Sequence, residues 1–309
     1  MLLNWLLIPS SLLSVAISVP LAGALTRWRV HHSPKRIQLE DSEVQQEPSL
    51  STPTVTGYFN TLGRVYRLEG WAGLYKGFSP TFFSFLIIMS ALVAWLKIDT
   101  TPRLPWNFNN LPIPALIVFG VLSMVVGIPM QVLTTRAIVT PYRLPYTRPL
   151  VAMKLLLSAT ERRQPWKIYL LPGVFVSQFC LILVPVAIRP LVTILLRPMI
   201  NTPLVGLAVV AYFFTAVVGT ILQTPLQIAG ARLAVQRIRG GDDVSEAEVA
   251  EAAGVRVYSS EEVISVRDDQ YPYVGLVDCL KKIIAEEGWV TLLRAWWITF
   301  LSFYASTLV

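Results

Sequence analysis

The stretch Gly57–Gly77 reads GYFNTLGRVYRLEGWAGLYKG and predicts a short amphipathic helix, a turn and the entry to an apolar span. The same pattern returns 218 positions later, where Glu69-Gly70-Trp71 meets Glu287-Gly288-Trp289 and Lys76 meets Arg294. A self-match in constant register indicates an internal repeat. The alternative is two unrelated amphipathic helices that each end at a small residue.

This pattern, an acidic residue and Gly followed by an aromatic residue, a cation and Gly, resembles the matrix-helix signature of the mitochondrial carrier family. The resemblance covers nearly the whole chain. It implies an all-α membrane protein with six transmembrane helices in three tandem two-helix repeats, arranged with pseudo-threefold symmetry and with short surface helices on the matrix side. We expect the repeats at residues 1–98, 99–200 and 201–309. The second is degenerate, and the third carries an acidic insertion at residues 238–272.

The composition is that of a protein with several membrane spans. Of 309 residues, 54% are hydrophobic and 15% are charged, and the mean hydropathy is +0.56. A soluble domain carries roughly a quarter charged residues, and a span needs about 20 apolar residues. The predicted spans are Leu2–Leu25, Phe78–Leu96, Leu111–Leu133, Ile168–Leu195, Pro203–Ile228 and the shorter Thr291–Val309.

The charges are unevenly distributed along the chain. The net charge is +7, yet residues 242–269 hold nine of the 19 acidic residues and only two of the 26 basic ones. The basic excess elsewhere fits contact with anionic lipids or solutes; no basic stripe with interleaved aromatic residues suggests nucleic acid. Basic residues concentrate in the connections after the odd spans, and the positive-inside rule then assigns these connections to the matrix side or its cytosolic equivalent. Both termini are expected on the other side.

Catalysis is not expected from this sequence. His31 and His32 are adjacent, with no cysteine near them, and no P-loop, dinucleotide fingerprint or Ser/His/Asp set is present. Cys180 and Cys279 cannot make a disulfide framework. We therefore predict no enzyme activity, no metal site and no cofactor, with cardiolipin as a bound lipid implied by the resemblance.

Each odd span carries a proline in its second half and an arginine seven residues later. The three sets are Pro20 with Arg27, Pro129 with Arg136 and Pro225 with Arg232. A proline inside a helix removes a hydrogen bond and kinks the helix. The matched spacing predicts three kinked helices around a common axis.

Two connections are predicted to contain short helices. In the second repeat, Leu150–Glu161 is expected to be the surface helix, followed by a longer approach to Gly173. In the insertion, Ser245 and Glu248 form a capping-box pattern for a short helix that stops at Gly254.

The resemblance also assigns gate positions, and in this chain they are uncharged. The acidic positions after the odd-span prolines are Ala22, Gln131 and Gln227, and the basic positions are Leu25, Thr134 and Gly230. No ion-pair network can form from these residues, so only hydrogen bonds of Gln131, Gln227 and Thr134 remain, each worth about 1 kcal/mol. The pattern predicts a weak matrix gate. The family's gate on the opposite side also fails, because its positions become Lys97 with Thr100 and Thr193 with Leu196, and the last span is short relative to the family.

Carried over by position, the substrate contacts on the even spans are Ser84, Cys180, Leu181 and Ser302. They include no Arg or Lys, so the resemblance implies a solute that is not strongly anionic. The alternative is that small polar residues let helices pack closely. Among charges inside the spans, Arg189 and Lys97 are functional candidates, although Arg189 could equally extend to the interface.

Lipid contacts are implied at two helix starts, Tyr75-Lys76-Gly77 and Leu293-Arg294-Ala295. A cation beside backbone N–H groups of a helix N-terminus forms an anion site, and the resemblance assigns cardiolipin to Lys76, Gly77 and Arg294. The alternative, which is compatible with lipid binding, is interfacial anchoring by Tyr75, Trp71, Trp289 and Trp296.

Two functions follow from the resemblance. The first is carrier-type transport of a small solute by alternating access, with membrane lipid as a partner and the inner mitochondrial membrane as the favoured location. The alternative is a transport-inactive, carrier-like scaffold of the outer mitochondrial membrane, with protein partners and a fusion or insertase-type role. The uncharged gates and the short last span favour the scaffold, whereas the retained proline and lipid motifs favour transport. An enzyme with a membrane anchor is a third, disfavoured class.

Overall fold

A computed structural model describes residues 2–34, 55, 57–98, 113–145, 148–191, 205–238, 245–259, 261–267 and 271–308 of the chain. Within these ranges the chain is mostly helical and has no β-strand, which confirms the all-α class. The α-helices are α1 (Leu2–Val30), α2 (Tyr58–Leu74), α3 (Phe78–Ile98), α4 (Ile113–Val139), α5 (Pro149–Leu156), α6 (Ala159–Arg163), α7 (Val174–Leu191), α8 (Val205–Val235), α9 (Glu246–Ala252), α10 (Leu276–Glu286) and α11 (Trp296–Leu308). Short 3-10 helices cover Pro165–Ile168 and Trp289–Leu293.

The repeated stretch has the predicted local structure. Helix α2 buries Tyr58, Thr61, Val65 and Glu69, spaced three and four residues apart, which is one face of a helix. Its regular backbone is interrupted at Gly70, where φ is 66° and ψ is −161°. A turn then leads through Gly77 into α3.

A helix occurs at each of the six predicted spans, from 13 residues in α11 to 31 residues in α8, with some different boundaries. Helix α7 starts at Val174 rather than Ile168, because the preceding residues form a 3-10 helix and a turn that ends at Gly173. Among the described residues, two helices are long and apolar enough to cross a membrane, Gly120–Val139 and Gly206–Val235. Shorter apolar helices cover Phe78–Ile88 and Val174–Ile188.

The surface helix expected at Leu150–Glu161 is instead two short helices, α5 and α6. Leu157 is extended, and Ser158 opens a new helix because its side chain accepts a hydrogen bond from the backbone N–H of Glu161 while the Glu161 carboxylate accepts from the backbone N–H of Ser158. This reciprocal capping box satisfies two N–H groups that a helix start leaves unpaired. The predicted capping box of the insertion is confirmed: α9 follows Ser245, and Gly254 has φ of 65°.

The chain divides into two compact units. Unit 1 comprises Met1–Phe83, Met130–Leu171 and Ala234–Pro272, and unit 2 comprises Ser84–Pro129, Pro172–Leu233 and Tyr273–Val309. In unit 1, α1 packs along α2 and α9 contacts α5. In unit 2, α10 contacts α7 and the 3-10 helix that begins at Trp289. Helices α3, α4 and α8 contribute residues to both units.

One backbone feature recurs before α3, α7 and α11. The preceding residues, Gly77, Gly173 and Ala295, have φ of 83°, 78° and 58°. This left-handed conformation favours glycine. At Gly77 an added Cβ would also lie 2.9 Å from Cγ1 of Ile138, so both the backbone and the available space require glycine.

We expect Gly77→Ala to lower the free energy of unfolding by roughly 2–4 kcal/mol, because the substitution adds left-handed strain and a clash with Ile138. The measurement is thermal unfolding of the purified protein in detergent. The matched control is Gly63→Ala inside α2, where an added Cβ meets nothing within 4 Å; alanine there favours the helix by up to about 1 kcal/mol. Equal destabilisation by both variants would contradict this interpretation.

Candidate functional site

The three arginines that follow the span prolines are buried, and each pairs with a glutamate that precedes the next long helix. The pairs are Arg27 with Glu69, Arg136 with Glu161 and Arg232 with Glu287. None of the six side chains is more than 5% exposed. We call these three contacts the braces, because each ties the end of one helix to the segment that leads into the next one.

The first brace joins α1 to α2 within unit 1. Nη2 of Arg27 donates to Oε2 of Glu69, and both terminal nitrogens of Arg27 lie 3.3 Å from the carbonyl oxygen of Gly73. Lys76 donates to Oε1 of Glu69 at 2.5 Å and to the carbonyl oxygen of Thr140 at 2.8 Å. Glu69 therefore binds two cations, and Lys76 connects this cluster to the residue after α4.

The environment of Lys76 matters for the predicted lipid site. Its side chain is 2% exposed, and burial lowers the pKa of Lys76 to about 8 although the charge of Glu69 acts in the opposite direction. The ring of Tyr258 lies 4.2 Å from Nζ and adds a cation–π contact. The ammonium is thus held by a carboxylate, a carbonyl and a ring, so the structure assigns this cation to the brace. Lipid binding by Lys76 and Gly77 stays a prediction.

The second brace ties α4 to α6 and to the end of α8, again within unit 1. Nη1 and Nη2 of Arg136 lie 2.6 and 2.9 Å from the two carboxylate oxygens of Glu161. Arg136 also donates to the backbone carbonyl oxygens of Ala234, Leu156 and Gln236. Burial alone would raise the pKa of Glu161, but the hydrogen bond to Arg136, its charge and two backbone N–H donors hold that pKa below its usual value. A bidentate contact of this kind is the strongest geometry for an Arg–carboxylate pair.

The third brace lies in unit 2 and repeats the chemistry of the first. Nη1 of Arg232 donates to Oε1 of Glu287, and Nη2 lies 3.0 Å from Oε2. Nη2 of Arg294 donates to Oε2 of the same carboxylate at 3.1 Å. Arg294 stands seven residues after its glutamate, as Lys76 does, so its guanidinium is also engaged in a brace and its lipid-binding role stays a prediction.

In the degenerate second repeat, backbone N–H groups take the place of the second cation that binds the brace glutamate in the other two repeats. Seven residues after Glu161 the chain has Ile168, which cannot supply a second cation. The backbone N–H groups of Ser158 and Ile238 donate to Glu161 instead, each at 3.1 Å. The carboxylate is therefore fully satisfied although the sequence signature is lost.

The sequence pointed to the arginines and, in two repeats, to the glutamates, but it did not predict their pairing. The two partners are separated by 42, 25 and 55 residues, so no fixed spacing connects them. The usable signal was chemical: an arginine follows each of the three proline-containing spans, and a glutamate lies in each approach to the next span. The signal was ambiguous at two places, because Arg29 and Glu286 are equally eligible by sequence.

The predicted gate residues do not form ion pairs among the described residues. Gln131 is half-buried, and its Oε1 has no hydrogen-bond partner in the described part of the chain. In unit 2, Oε1 of Gln227 accepts a hydrogen bond from Thr299 at 3.0 Å. Thr134 packs close to Gly77. Ala22 is exposed, Leu25 is half-buried and Gly230 is buried.

The predicted substrate residues all lie in unit 2, on three helices. Ser84 on α3 and both Cys180 and Leu181 on α7 are half-buried, whereas Ser302 on α11 is exposed. Their role in substrate binding stays a prediction. The side chains of Lys97 and Arg189 lie outside the described residues.

The surface aromatics have the exposure that an interfacial position requires. Trp71 and Trp289, each two residues after a brace glutamate, are 65% and 66% exposed, and Trp296 is 52% exposed. Trp166 in the second repeat is 59% exposed. Tryptophan at such positions is typical of a membrane–water interface.

The histidines lie where α1 ends, and in the described part of the chain no group of His, Cys, Asp and Glu side chains could hold a metal ion. His31 is 3% exposed, and its Nδ1 lies 3.2 Å from Oγ of Ser265. Ser265 belongs to the insertion, which contributes residues to the lining of a cavity of about 380 Å³ in unit 1.

The chain matches no protein-family model, no curated protein and no solved structure. Any statement about its function therefore depends on the residues and contacts above.

The braces generate a direct stability prediction. Glu161→Gln leaves Arg136 buried beside a neutral amide, and we expect a loss of about 3–5 kcal/mol in the free energy of unfolding. The measurement is denaturation in detergent. The control is Glu251→Gln on the exposed side of α9, which removes the same charge and should change stability by less than about 0.5 kcal/mol.

A double variant separates the ion pair from the backbone bonds. Arg136→Met with Glu161→Leu removes both charges, so part of the lost stability should return. Recovery should be incomplete, because the carbonyl oxygens of Ala234, Leu156 and Gln236 lose their donor, at about 1 kcal/mol for each. A stable Glu161→Gln variant would show that the second brace is dispensable.

Proposed function

We propose that this chain is a carrier-type transporter that moves a small solute across a mitochondrial membrane by alternating access. In this proposal the six long helices are the spans, arranged as three two-helix repeats around a central path. The observation that carries the proposal is the recurrence of the brace at three places, each seven residues after a span proline and each followed by a left-handed residue that starts the next helix.

The braces support a mechanism that moves rigid parts. Loss of one partner of a buried ion pair costs about 3–5 kcal/mol. The ends of α1, α4 and α8 therefore stay attached to the segments that hold their partner glutamates. Alternating access requires bodies that keep their internal contacts while they tilt against one another. The three braces supply such bodies, because each one joins a long helix to a neighbouring segment. A core that does not move would not require a brace at three equivalent positions.

The solute class follows from charge. Ser84, Cys180, Leu181 and Ser302 offer hydroxyl, thiol and apolar groups and no cation. A phosphate or a dicarboxylate would lose its hydration in this site and find no cation in its place, and the free energy of burying an unpaired charge is high. The proposed solute is therefore neutral, zwitterionic or singly charged.

The alternative function is a transport-inactive scaffold of the outer mitochondrial membrane that binds other proteins. The observation in its favour is the neutral gate, since Gln131 and Thr134 in unit 1 form no ion pair with which a cycle could close and reopen. In that case the braces maintain a fold inherited from a transporter.

Transport is tested with the full chain reconstituted in liposomes. We expect saturable exchange of one or more radiolabelled solutes from a panel of neutral, zwitterionic, singly anionic and polyanionic compounds, with the polyanions inactive. Ser84→Val should then reduce uptake roughly 5–10-fold, as expected for the loss of one hydrogen bond. Ser90→Val on the same helix is the control, because its hydroxyl bonds to its own helix at Ile87. Folded, inserted protein that exchanges no solute would favour the scaffold.

Location is tested by protease protection. Arg256 in the insertion is exposed and offers a trypsin site. For an inner-membrane carrier, we expect no cleavage at Arg256 in intact mitochondria or after removal of the outer membrane, and cleavage once detergent opens the inner membrane. Cleavage in intact mitochondria would place the insertion in the cytosol and support the scaffold.

A further inference from the structure

The described part of the insertion, residues 245–259 and 261–267, contacts the ends of α1, α4 and α8. All of these contacts lie within unit 1, which contains the end of α1, the last turns of α4 and the last residues of α8. Val263 and Ile264 of the insertion are only 8% and 5% exposed. This segment is therefore packed onto the helix ends, despite its many acidic residues.

The end of α1 is held through one serine. The backbone N–H of His32 donates to the carbonyl oxygen of Ser265 at 2.9 Å, and Oγ of Ser265 donates to the carbonyl oxygen of His32 at 2.5 Å. The backbone N–H of Ser265 lies 3.3 Å from Nδ1 of His31. Ser265 thus fixes the two residues that follow α1.

One carboxylate holds the ends of α4 and α8 together. Oε1 of Glu246 accepts from the hydroxyl of Thr140 at 2.6 Å, and Oε2 accepts from Nη2 of Arg237 at 2.9 Å. Thr140 follows the last residue of α4, and Arg237 follows α8 by two residues. Glu246 opens α9, so this short helix is positioned by the same contact that links the two long ones.

Further contacts align the insertion with the segment after α4. Tyr142 and Val257 form an isolated antiparallel bridge, and the backbone N–H of Arg143 donates to the carbonyl oxygen of Arg256 at 2.9 Å. The ring of Tyr258 lies between Lys76 and Arg143, at 4.2 and 4.9 Å from their charged groups. The cavity of about 380 Å³ is lined in part by Thr140, Tyr258 and Ile264.

We propose that the insertion is a latch that closes this end of the protein by holding the ends of α1, α4 and α8 together. It does so with contacts that the uncharged gate positions cannot make. Interpreted as a gate, the latch rests on the proposed transport function. The Ser265 contacts are neutral hydrogen bonds, and the Arg237–Glu246 pair is partly exposed, at 12% and 25%. Such contacts are weak individually, so the latch can release while each brace arginine stays bound to its glutamate. The bonds of Lys76 to Thr140 and of Arg136 to Ala234 and Gln236 also join these ends and must break in the same step.

The test measures water access to position 131 of α4, eight residues before the helix ends at Val139, and needs no transported solute. The reporter is Gln131→Cys in the full chain with Cys180→Ser and Cys279→Ala. Its labelling by a water-soluble maleimide is followed by mass spectrometry of the peptide that carries residue 131. With Glu246→Gln and Ser265→Ala together, we expect labelling at least 5-fold faster than in the parent. Glu251→Gln, which removes a charge from the same helix without a contact to α4 or α8, is the control and should label like the parent.

A crosslink gives the reverse experiment in one and the same protein. His31→Cys with Ser265→Cys replaces side chains that are 3.2 Å apart. Oxidation should close the latch and make labelling of residue 131 severalfold slower than in the reduced form of the same variant. This comparison does not depend on the stability of the opened variants.

The latch is overturned if the Glu246→Gln and Ser265→Ala variant labels at the parental rate, if Glu251→Gln accelerates labelling as much, or if the crosslink has no effect. Latch-dependent labelling in a protein that exchanges no solute would reject transport and keep the latch. Solute exchange in a protein whose labelling does not depend on the latch would reject the latch and keep transport.

Discussion

A carboxylate inside a protein stays ionised only when a cation or several hydrogen-bond donors replace the water it has lost. Three glutamates of this chain meet that condition, because each pairs with an arginine near the end of α1, α4 or α8. The rest of the local structure depends on this requirement. Arg136 shows how far it extends, because one guanidinium binds Glu161 and three backbone carbonyl oxygens. Removal of Arg136 would leave Glu161 with only two backbone N–H donors, and removal of Glu161 would leave Arg136 with carbonyl oxygens and no counter-charge.

The backbone between a brace glutamate and the next helix follows from the same requirement. The chain must bring the glutamate back to the arginine and then start a long helix within a few residues. A left-handed residue makes that reversal, and Gly77, Gly173 and Ala295 all adopt it. Ala295 shows that the geometry is imposed by its surroundings, since a side chain at positive φ costs about 1–2 kcal/mol and is tolerated where the third brace fixes the chain on its N-terminal side.

Much of the helix order was predictable from the sequence, because apolar runs, prolines and capping residues act locally. The helix of the insertion was correctly predicted since Ser245 and Glu248 are three residues apart. The split of the surface helix at Ser158 used the same chemistry and was missed, because the apolar residues on both sides continued a helical pattern. The braces and the contacts of Ser265 with His31 and His32 join residues 25 to 234 positions apart. No periodicity reports a contact of that kind, and two neutral backbone donors at Glu161 leave no signature in the side chains. The number of spans and the substrate residues stay predictions from composition and position.

Charge is distributed between two kinds of contact with different strengths. The braces are buried and bidentate or bridged, and breaking one is worth several kcal/mol. The contacts of Glu246 and Ser265 are partly exposed or neutral, and an exposed ion pair contributes at most about 1 kcal/mol. A conformational change proceeds through the contacts that are weakest to break. If the helix ends in unit 1 separate, Glu246 and Ser265 release together with the bonds of Lys76 to Thr140 and of Arg136 to Ala234 and Gln236. Arg27 and Arg136 can stay bound to their glutamates. Under this proposal Gln131 and Thr134 need no charge, because the insertion, which lies outside the long helices, supplies the reversible contacts.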